Sequence, residues 1–351
     1  MLNTSRFRTI TTLAFTALVM SGCAETTALP TTLDPVEMQA DVEAANAAFD
    51  TPATNSFSEM GYAMDNALVS VGGFAMALPM AALRDGPTTP LMESRDRIIS
   101  MLDDPSTMAS AIPLSALGKT FVWNVTTDQY EVSARTGAPA NGVRFVLYVY
   151  DYATFSFAEP LVEVGYAQFS RTLNTATVSV FLSNNTKVVE YTATLGGSAL
   201  FPTFSIAGFA GSGANLTNFN LALGVSATTQ NLTTTWRTEM PSRGLSSRVA
   251  LSLGETSGTI GAVMRRGVRK VEMAGSFNDL GGTLNVKVGD KLFARLTFSD
   301  LGVTVTDADG APLSEGDETT LRQIFDWFEN AFEAPNVLIG PLYTLLDFAG
   351  I

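Results

Sequence analysis

The feature that most constrains the fold is a long run of short segments with a two-residue hydrophobic period between Lys119 and Asp309. Successive side chains of a β-strand point to opposite faces, so this period is typical of strands. In residues 283–288, for example, a leucine and two valines alternate with polar asparagine and lysine. The run predicts a sheet of about a dozen strands, most of them with one apolar and one polar face.

The connections between these segments predict an antiparallel meander. Asn141-Gly142, Asn184-Asn185, Gly281-Gly282 and Gly289-Asp290 favour tight hairpin turns. No helical pattern of useful length separates the segments, and parallel neighbours normally need a long crossover connection. About a dozen strands do not stay flat, so the sheet is expected to curl, split into two packed sheets, or close.

Helical patterns precede and follow the predicted strands in the sequence. Asp34-Pro35, Ser56 to Glu59 and Thr89-Pro90 are typical of helix starts and predict three N-terminal helices. Ser314 with Asp317 predicts the start of a C-terminal amphipathic helix. The fold class expected is α+β, with a large curved antiparallel β meander packed against the N-terminal helices and the C-terminal helix. The apolar face of that last helix consists of Leu321, Ile324, Phe325, Phe328 and Phe332.

The N-terminus has the pattern of an export signal. Arg6 and Arg8 precede an uncharged stretch, residues 9–20, which fits the roughly 7–15 residues of a signal-peptide core better than the about 20 of a spanning helix. Met20-Ser21-Gly22-Cys23 then resembles the lipobox of bacterial lipoproteins, with methionine where the family usually has leucine. The resemblance covers only these first residues. It implies cleavage before Cys23 and lipidation of that cysteine; the alternative is an ordinary secretory signal with an incidental cysteine.

The same resemblance implies a location in the bacterial cell envelope. Ala24 and Glu25 lack the aspartate after the cysteine that retains lipoproteins at the inner membrane, so the outer membrane, facing the periplasm, is expected. Two or more acyl chains hold a protein firmly on a membrane without spanning it. Cys23 is the only cysteine, so no disulfide is expected.

These patterns divide the chain into five predicted segments, of which those from residue 34 onward form one globular unit. They are residues 1–22 (signal peptide), 23–33 (tether), 34–112 (helical segment), 113–312 (β meander) and 313–351 (C-terminal helix and tail).

Composition excludes several classes of function. Acidic residues number 34 against 21 basic ones, and nucleic-acid binding needs a basic stripe, so no nucleic-acid partner is expected. The chain has no histidine, which removes Ser-His-Asp and Cys-His catalysis and histidine-bearing metal sites. No enzyme activity, cofactor or metal site is predicted. A hydrolase built on two carboxylates stays open as an alternative, because its acids can lie anywhere in a sequence.

Methionines concentrate in the helical segment, which contains eight of the 13. Methionine is flexible and polarizable and is over-used on surfaces that accommodate varied apolar ligands; the alternative is that these residues fill an irregular core. A curved sheet with apolar helices on one face is similar in outline to periplasmic carriers of lipids or lipoproteins, and this implies a lipid or lipid-like ligand between sheet and helices. The residues predicted to contact it are Met60, Met64, Phe74, Met76, Met80, Phe325 and Phe328.

A basic cluster contrasts with the acidic chain. It lies in MRRGVRK, residues 264–270, around a glycine that predicts a hairpin tip. Arginine and lysine there are suited to lipid headgroups, lipopolysaccharide phosphates or an acidic envelope protein; a solvated turn is the alternative. The two functions weighed are therefore an outer-membrane lipoprotein that binds an apolar ligand and a structural or adaptor lipoprotein without one. The predicted surface-contact residues are Arg265, Arg266, Arg269 and Lys270.

Overall fold

The structure is a computed structural model of the chain. The described residues are mostly β, with a few helices. They are 35–67, 95, 99, 112–172, 174–198, 200–299 and 302–347.

One sheet of 15 strands dominates the molecule, and a separate two-stranded sheet consists of β4 and β5. The strands, in chain order, are β1 (Thr120–Asn124), β2 (Gln129–Ser133), β3 (Gly142–Tyr148), β4 (Tyr150–Asp151), β5 (Ser156–Phe157), β6 (Glu163–Arg171), β7 (Thr175–Leu182), β8 (Lys187–Ser198), β9 (Phe201–Ala210), β10 (Thr217–Val225), β11 (Leu232–Met240), β12 (Leu245–Leu253), β13 (Ser257–Arg266), β14 (Arg269–Asn278), β15 (Gly281–Val288), β16 (Lys291–Ser299) and β17 (Gly302–Thr306).

The predicted meander is confirmed for most of the sheet. From β6 to β17 every strand neighbours the next one in the chain, and every such pair is antiparallel. Short turns suffice for this order because antiparallel neighbours begin where their predecessors end.

The sheet is mixed, however, and the prediction of a purely antiparallel sheet was wrong at one edge. There the order is β3-β1-β2, and β1 pairs with β3 in parallel, with Thr120 opposite Arg144. A parallel pair needs a crossover of a dozen or more residues. The hairpin strand β2 and residues 134–141 supply it, so no crossover helix was needed and none was visible in the sequence.

Two of the predicted hairpin turns are confirmed and two are displaced. Asn184-Asn185 joins β7 to β8, and Gly289-Asp290 joins β15 to β16. Gly142 is instead the first residue of β3, where an added Cβ would lie 1.9 Å from the Phe169 carbonyl oxygen. Gly282 lies within β15, where an added Cβ would lie 2.5 Å from the Ser276 carbonyl oxygen. These two glycines permit the close approach of neighbouring strands, a second use of glycine that resembles a turn in sequence.

Three helices have defined bounds: α1 (Pro35–Asn46), α2 (Pro52–Ala67) and α3 (Glu315–Asp347). The start of α1 agrees with the predicted proline at its first position. The start of α2 lies before the predicted Ser56, because Thr51 and Thr54 cap it: Thr54 donates its backbone N–H to Thr51 Oγ1 at 3.2 Å, and Thr51 donates its own to Thr54 Oγ1 at 2.7 Å. The Ser56 hydroxyl instead accepts the backbone N–H of Tyr148 in β3 at 3.1 Å.

The C-terminal helix α3 starts as predicted. Ser314 Oγ accepts the backbone N–H of Asp317 at 3.2 Å and donates to its carboxylate at 2.7 Å. The helix includes Pro335 and Pro341, each of which removes an intrahelical hydrogen bond. Although α3 has 33 residues, no helix in the described part of the chain is long and apolar enough to cross a membrane.

The main core lies on one face of the sheet. A single apolar cluster contains buried side chains from β3, β6 to β16 and all three helices. Burial alternates along β11 and β12, so their other side chains form a polar outer face. The predicted α+β class is thus confirmed only in part, because in the described part of the chain the sheet is far larger than the helical portion.

The meander places its turns alternately at two ends of the sheet. We call the end that carries the β9–β10, β11–β12 and β13–β14 connections the α1 rim, because α1 contacts residues there. We call the other end the opposite rim. Its connections include residues 226–231, 254–256 and 279–280.

Candidate functional site

Three of the predicted ligand-contact residues lie together in the apolar core. Met60 of α2 and Phe325 and Phe328 of α3 all belong to the large cluster and are between 0% and 3% exposed. Side chains of the same chain surround them. Phe57, which lies one turn before Met60 on α2, has its ring centroid 5.8 Å from that of Phe169 in β6. In the described part of the chain, therefore, these positions fill the space between sheet and helices.

The remaining predicted residues are not placed. Met64 belongs to α2, but its side chain is not described. Outside the described residues lie the lipidation site Cys23 and the predicted contact residues Phe74, Met76 and Met80.

A buried carboxylate attaches α1 to its rim. The side chain of Asp41 is 2% exposed. It accepts a hydrogen bond from Arg243 Nη1 at 2.8 Å and another from Arg266 Nε. A buried carboxylate is stable only when its charge is paired and hydrogen-bonded, and the two guanidinium groups meet that requirement. Asp41 thus links the β11–β12 connection and the end of β13 to one helix.

A second ion-pair group lies at the start of the same helix. Glu37 Oε2 accepts from Arg266 Nη1 at 2.8 Å and from Arg269 Nη1 at 2.7 Å. Near the other end of α1, the Thr217 hydroxyl donates to the Ala45 carbonyl at 3.4 Å. The helix therefore lies across the rim from β14 to β10. Sequence reasoning missed these partners, which are more than 170 residues apart.

The predicted basic hairpin tip is the β13–β14 turn. Its two loop residues are Gly267, whose φ of 58° is the left-handed conformation that glycine adopts without strain, and Val268, which is 99% exposed. Of the predicted contact residues, Arg266 and Arg269 are half-buried in the ion pairs with α1, whereas Arg265 is exposed on the outer face.

The fourth predicted contact residue, Lys270, pairs with carboxylates of its own sheet. Its Nζ lies 3.0 Å from Glu272 Oε2 and 3.4 Å from Asp290 Oδ1. The hydrogen bond to Glu272 and the attraction of both carboxylates raise the pKa of Lys270. The structure thus keeps the four basic residues at one tip and gives three of them partners within the chain.

An aromatic cluster that sequence reasoning missed lies at the mixed edge of the sheet. The Trp123 ring lies 4.7 Å from that of Phe157, and Tyr130 lies 5.2 Å from Phe145. Burial raises the pKa of Tyr130 well above its usual value. Residues 145–150 are apolar on both faces, which indicates that both faces are covered. The sequence does not show that Trp123 of β1 and Phe157 of β5 provide part of this cover.

Replacing Tyr150 with phenylalanine should remove one tyrosine titration step near pH 12 from the ultraviolet absorbance of the folded protein. Burial raises the pKa of Tyr150 to about 12, and repulsion from Glu59 and Tyr152 adds to the shift. A raised pKa means that the protonated phenol stabilises the fold fully below pH of about 10, and that this contribution is lost as the pH rises through 12. A normal titration near 10 at this position would contradict the placement of Tyr150 against the cluster. Tyr166→Phe serves as the control.

A polar groove lies at the opposite rim. Its volume is about 430 Å³, and no charged side chain is among the described residues that line it. Hydroxyl groups of neighbouring strands face it in register: Ser252 pairs with Thr259, Thr259 with Ser276, and Ser276 with Thr283. The alternating pattern predicted that these side chains face solvent, but not that the rows align. The remaining lining residues are Asn231, Ser257, Gly258, Phe277, Asn278, Gly281 and Gly282.

The residues that the structure describes contain no group of three or more side chains suited to hold a metal ion. No protein-family model, curated protein or solved structure matches the chain.

Proposed function

We propose that the protein is an outer-membrane lipoprotein of the periplasmic face that binds an apolar, lipid-like ligand between its sheet and its helices, without catalysis. Its attachment is the lipidated Cys23, as the lipobox resemblance implies. The observation that carries the proposal is the continuous apolar cluster on one face of the sheet, against which three helices pack in the described part of the chain. An apolar sheet face of this extent is suited to bind the acyl chain of a lipid.

In this proposal, ligand and helices compete for the same surface. Met60, Phe325 and Phe328 fill the described core, so a ligand enters by displacing helical side chains. Methionine and phenylalanine suit such exchange, because methionine repacks at low cost and an acyl chain replaces one apolar contact with another. The polar attachment of α1 through Asp41 and Glu37 then holds the unliganded form closed.

Native mass spectrometry tests the proposal. The protein beginning at residue 26, exported and extracted gently from the cell envelope, should carry an extra mass that denaturation removes and that proves to be a lipid. The Asp41→Asn variant should carry a larger ligand-bound fraction, because it releases α1. Glu43→Gln, an exposed change on the same helix, is the matched control and should leave the fraction unchanged.

A second candidate is a structural or adaptor lipoprotein without a ligand. It is favoured by the filled core around Met60 and Phe328 and by the exposed Arg265 at the hairpin tip. A protein mass without any addition, unchanged after incubation with envelope lipids and in Asp41→Asn, assigns the protein to this second function. Charge reversal at Arg265 should then abolish capture of an envelope partner.

A further inference from the structure

The N-terminal end of the described chain lies beside the basic hairpin. Glu37, in the first turn of α1, contacts Arg266 and Arg269 on the two sides of the β13–β14 turn. The chain that precedes Pro35 therefore starts next to this turn. Residues 24–34, fully extended, reach at most about 40 Å. Strands of nine or ten residues separate the α1 rim from the opposite rim, a distance of about 30 Å.

From this juxtaposition we propose that the tip of the β13–β14 hairpin contacts the anionic phospholipid surface of the membrane to which the protein is attached, so that the α1 rim faces the bilayer. The proposal rests on the lipid attachment at Cys23 proposed above. A short tether strongly raises the effective concentration of whatever lies next to its attachment point. The hairpin tip can reach the membrane without any extension of the tether. The opposite rim could reach it only if the tether extended over most of its length.

Charge at this tip permits the contact. The whole chain has a formal net charge of −13, and an anionic surface repels most of such a protein. The ion-pair groups around the tip contain four cations and four carboxylates, so their charges balance. The exposed Arg265, which makes no ion pair with any described residue, adds one positive charge beside them. The other cations are Arg243, Arg266, Arg269 and Lys270, and the carboxylates are Glu37, Asp41, Glu272 and Asp290.

The tip also presents an apolar side chain. Val268, the second loop residue of the turn, is 99% exposed, so it has almost no packing contact within the fold. A valine flanked by arginines suits the boundary between headgroups and acyl chains, because its side chain enters the apolar layer while guanidinium groups stay with the phosphates. Leu280 is comparably exposed, at 80%, in the two-residue hairpin turn of the opposite rim. It provides a matched comparison.

Lipid photo-crosslinking tests the orientation. The chain beginning at Cys23 is attached through this only cysteine to a maleimide lipid in phosphatidylcholine vesicles that contain phosphatidylglycerol. A benzophenone amino acid replaces either Val268 or Leu280. We expect roughly fivefold more lipid adduct at position 268, and we expect Arg265→Glu to lower that yield to the level on pure phosphatidylcholine. Arg237→Glu, an exposed change on β11, should leave the yield unchanged.

Equal or greater adduct formation at position 280, or none at either position, would overturn the proposal. Chemical attachment makes this result independent of lipidation in the cell and of any bound ligand. Lipidation itself is measured separately, from the intact mass of the membrane-extracted protein, and ligand binding by the native mass spectra. A failure of the proposed function is thereby distinguished from a failure of the orientation.

Discussion

Replacing Phe328 with alanine should lower the free energy of unfolding by about 3–5 kcal/mol. Phe328 is fully buried on α3, in the cluster that also contains Phe57 and Tyr191. Removing its ring takes apolar area out of the core and leaves a cavity that the sheet cannot close by local adjustment, because its strands are hydrogen-bonded on both sides. Urea unfolding followed by circular dichroism measures the change.

The control for this prediction is Phe155→Ala. Phe155 is 63% exposed, so the same deletion there should cost less than about 0.5 kcal/mol. A loss below about 1 kcal/mol for Phe328→Ala would contradict the packing of α3 in the core. It would then favour a loosely held helix, as expected if the apolar space normally belongs to a ligand rather than to Phe328.

Hydrogen bonds also attach α3 to the sheet and to α1. The Tyr191 hydroxyl of β8 donates to the Leu338 carbonyl at 2.7 Å, in the stretch of α3 between its two prolines. Trp327 Nε1 donates to Gln39 Oε1 of α1 at 2.9 Å. These bonds orient α3 between the sheet and α1, whereas burial of its aromatic face provides most of its stabilisation.

The features of the fold that sequence predicts are those that depend on neighbours along the chain. The alternation in residues 283–288 predicts a strand, and the capping pair Ser314 and Asp317 predicts a helix start. Each depends on side chains a few residues apart. The parallel pair of β1 and β3 does not meet this condition, because the two strands are separated in sequence by β2, which pairs with β1 alone at the edge of the sheet.

The same limit applies to the candidate site. Burial of Met60, Phe325 and Phe328 follows from apolar periodicity, but periodicity does not tell a filled core from a ligand cavity. The partners of Asp41 were beyond sequence reasoning, since Arg243 lies in the β11–β12 connection and Arg266 at the end of β13, and only the full sheet brings them to one rim. In sequence, Asp41 is one of 34 acidic residues in the chain, with nothing to show that it is buried.

Replacing Asp41 with asparagine should release α1 from its rim. Truncating one partner of a buried ion pair costs about 3–5 kcal/mol. Both arginines here are about one-third or more exposed, so solvent compensates them in part and we expect about 2 kcal/mol. A loss of that size corresponds to roughly thirtyfold faster exchange of the α1 amide hydrogens through local opening. Hydrogen–deuterium exchange measures it, with the amides of β8 as the internal reference.

Comparison of Asp41→Asn with the control Glu43→Gln shows whether ion pairs or apolar burial hold α1 in place. Glu43 lies one turn before the end of the same helix, is exposed and accepts from Gln39 Nε2 at 2.8 Å, so Glu43→Gln should change exchange by less than about twofold. If exchange of α1 in Asp41→Asn stays within that range, burial of Met38 and Val42 holds the helix instead. Faster exchange in α1 alone means that the ion pairs hold α1 closed over the apolar face, as the proposed displacement of helical side chains by a ligand requires.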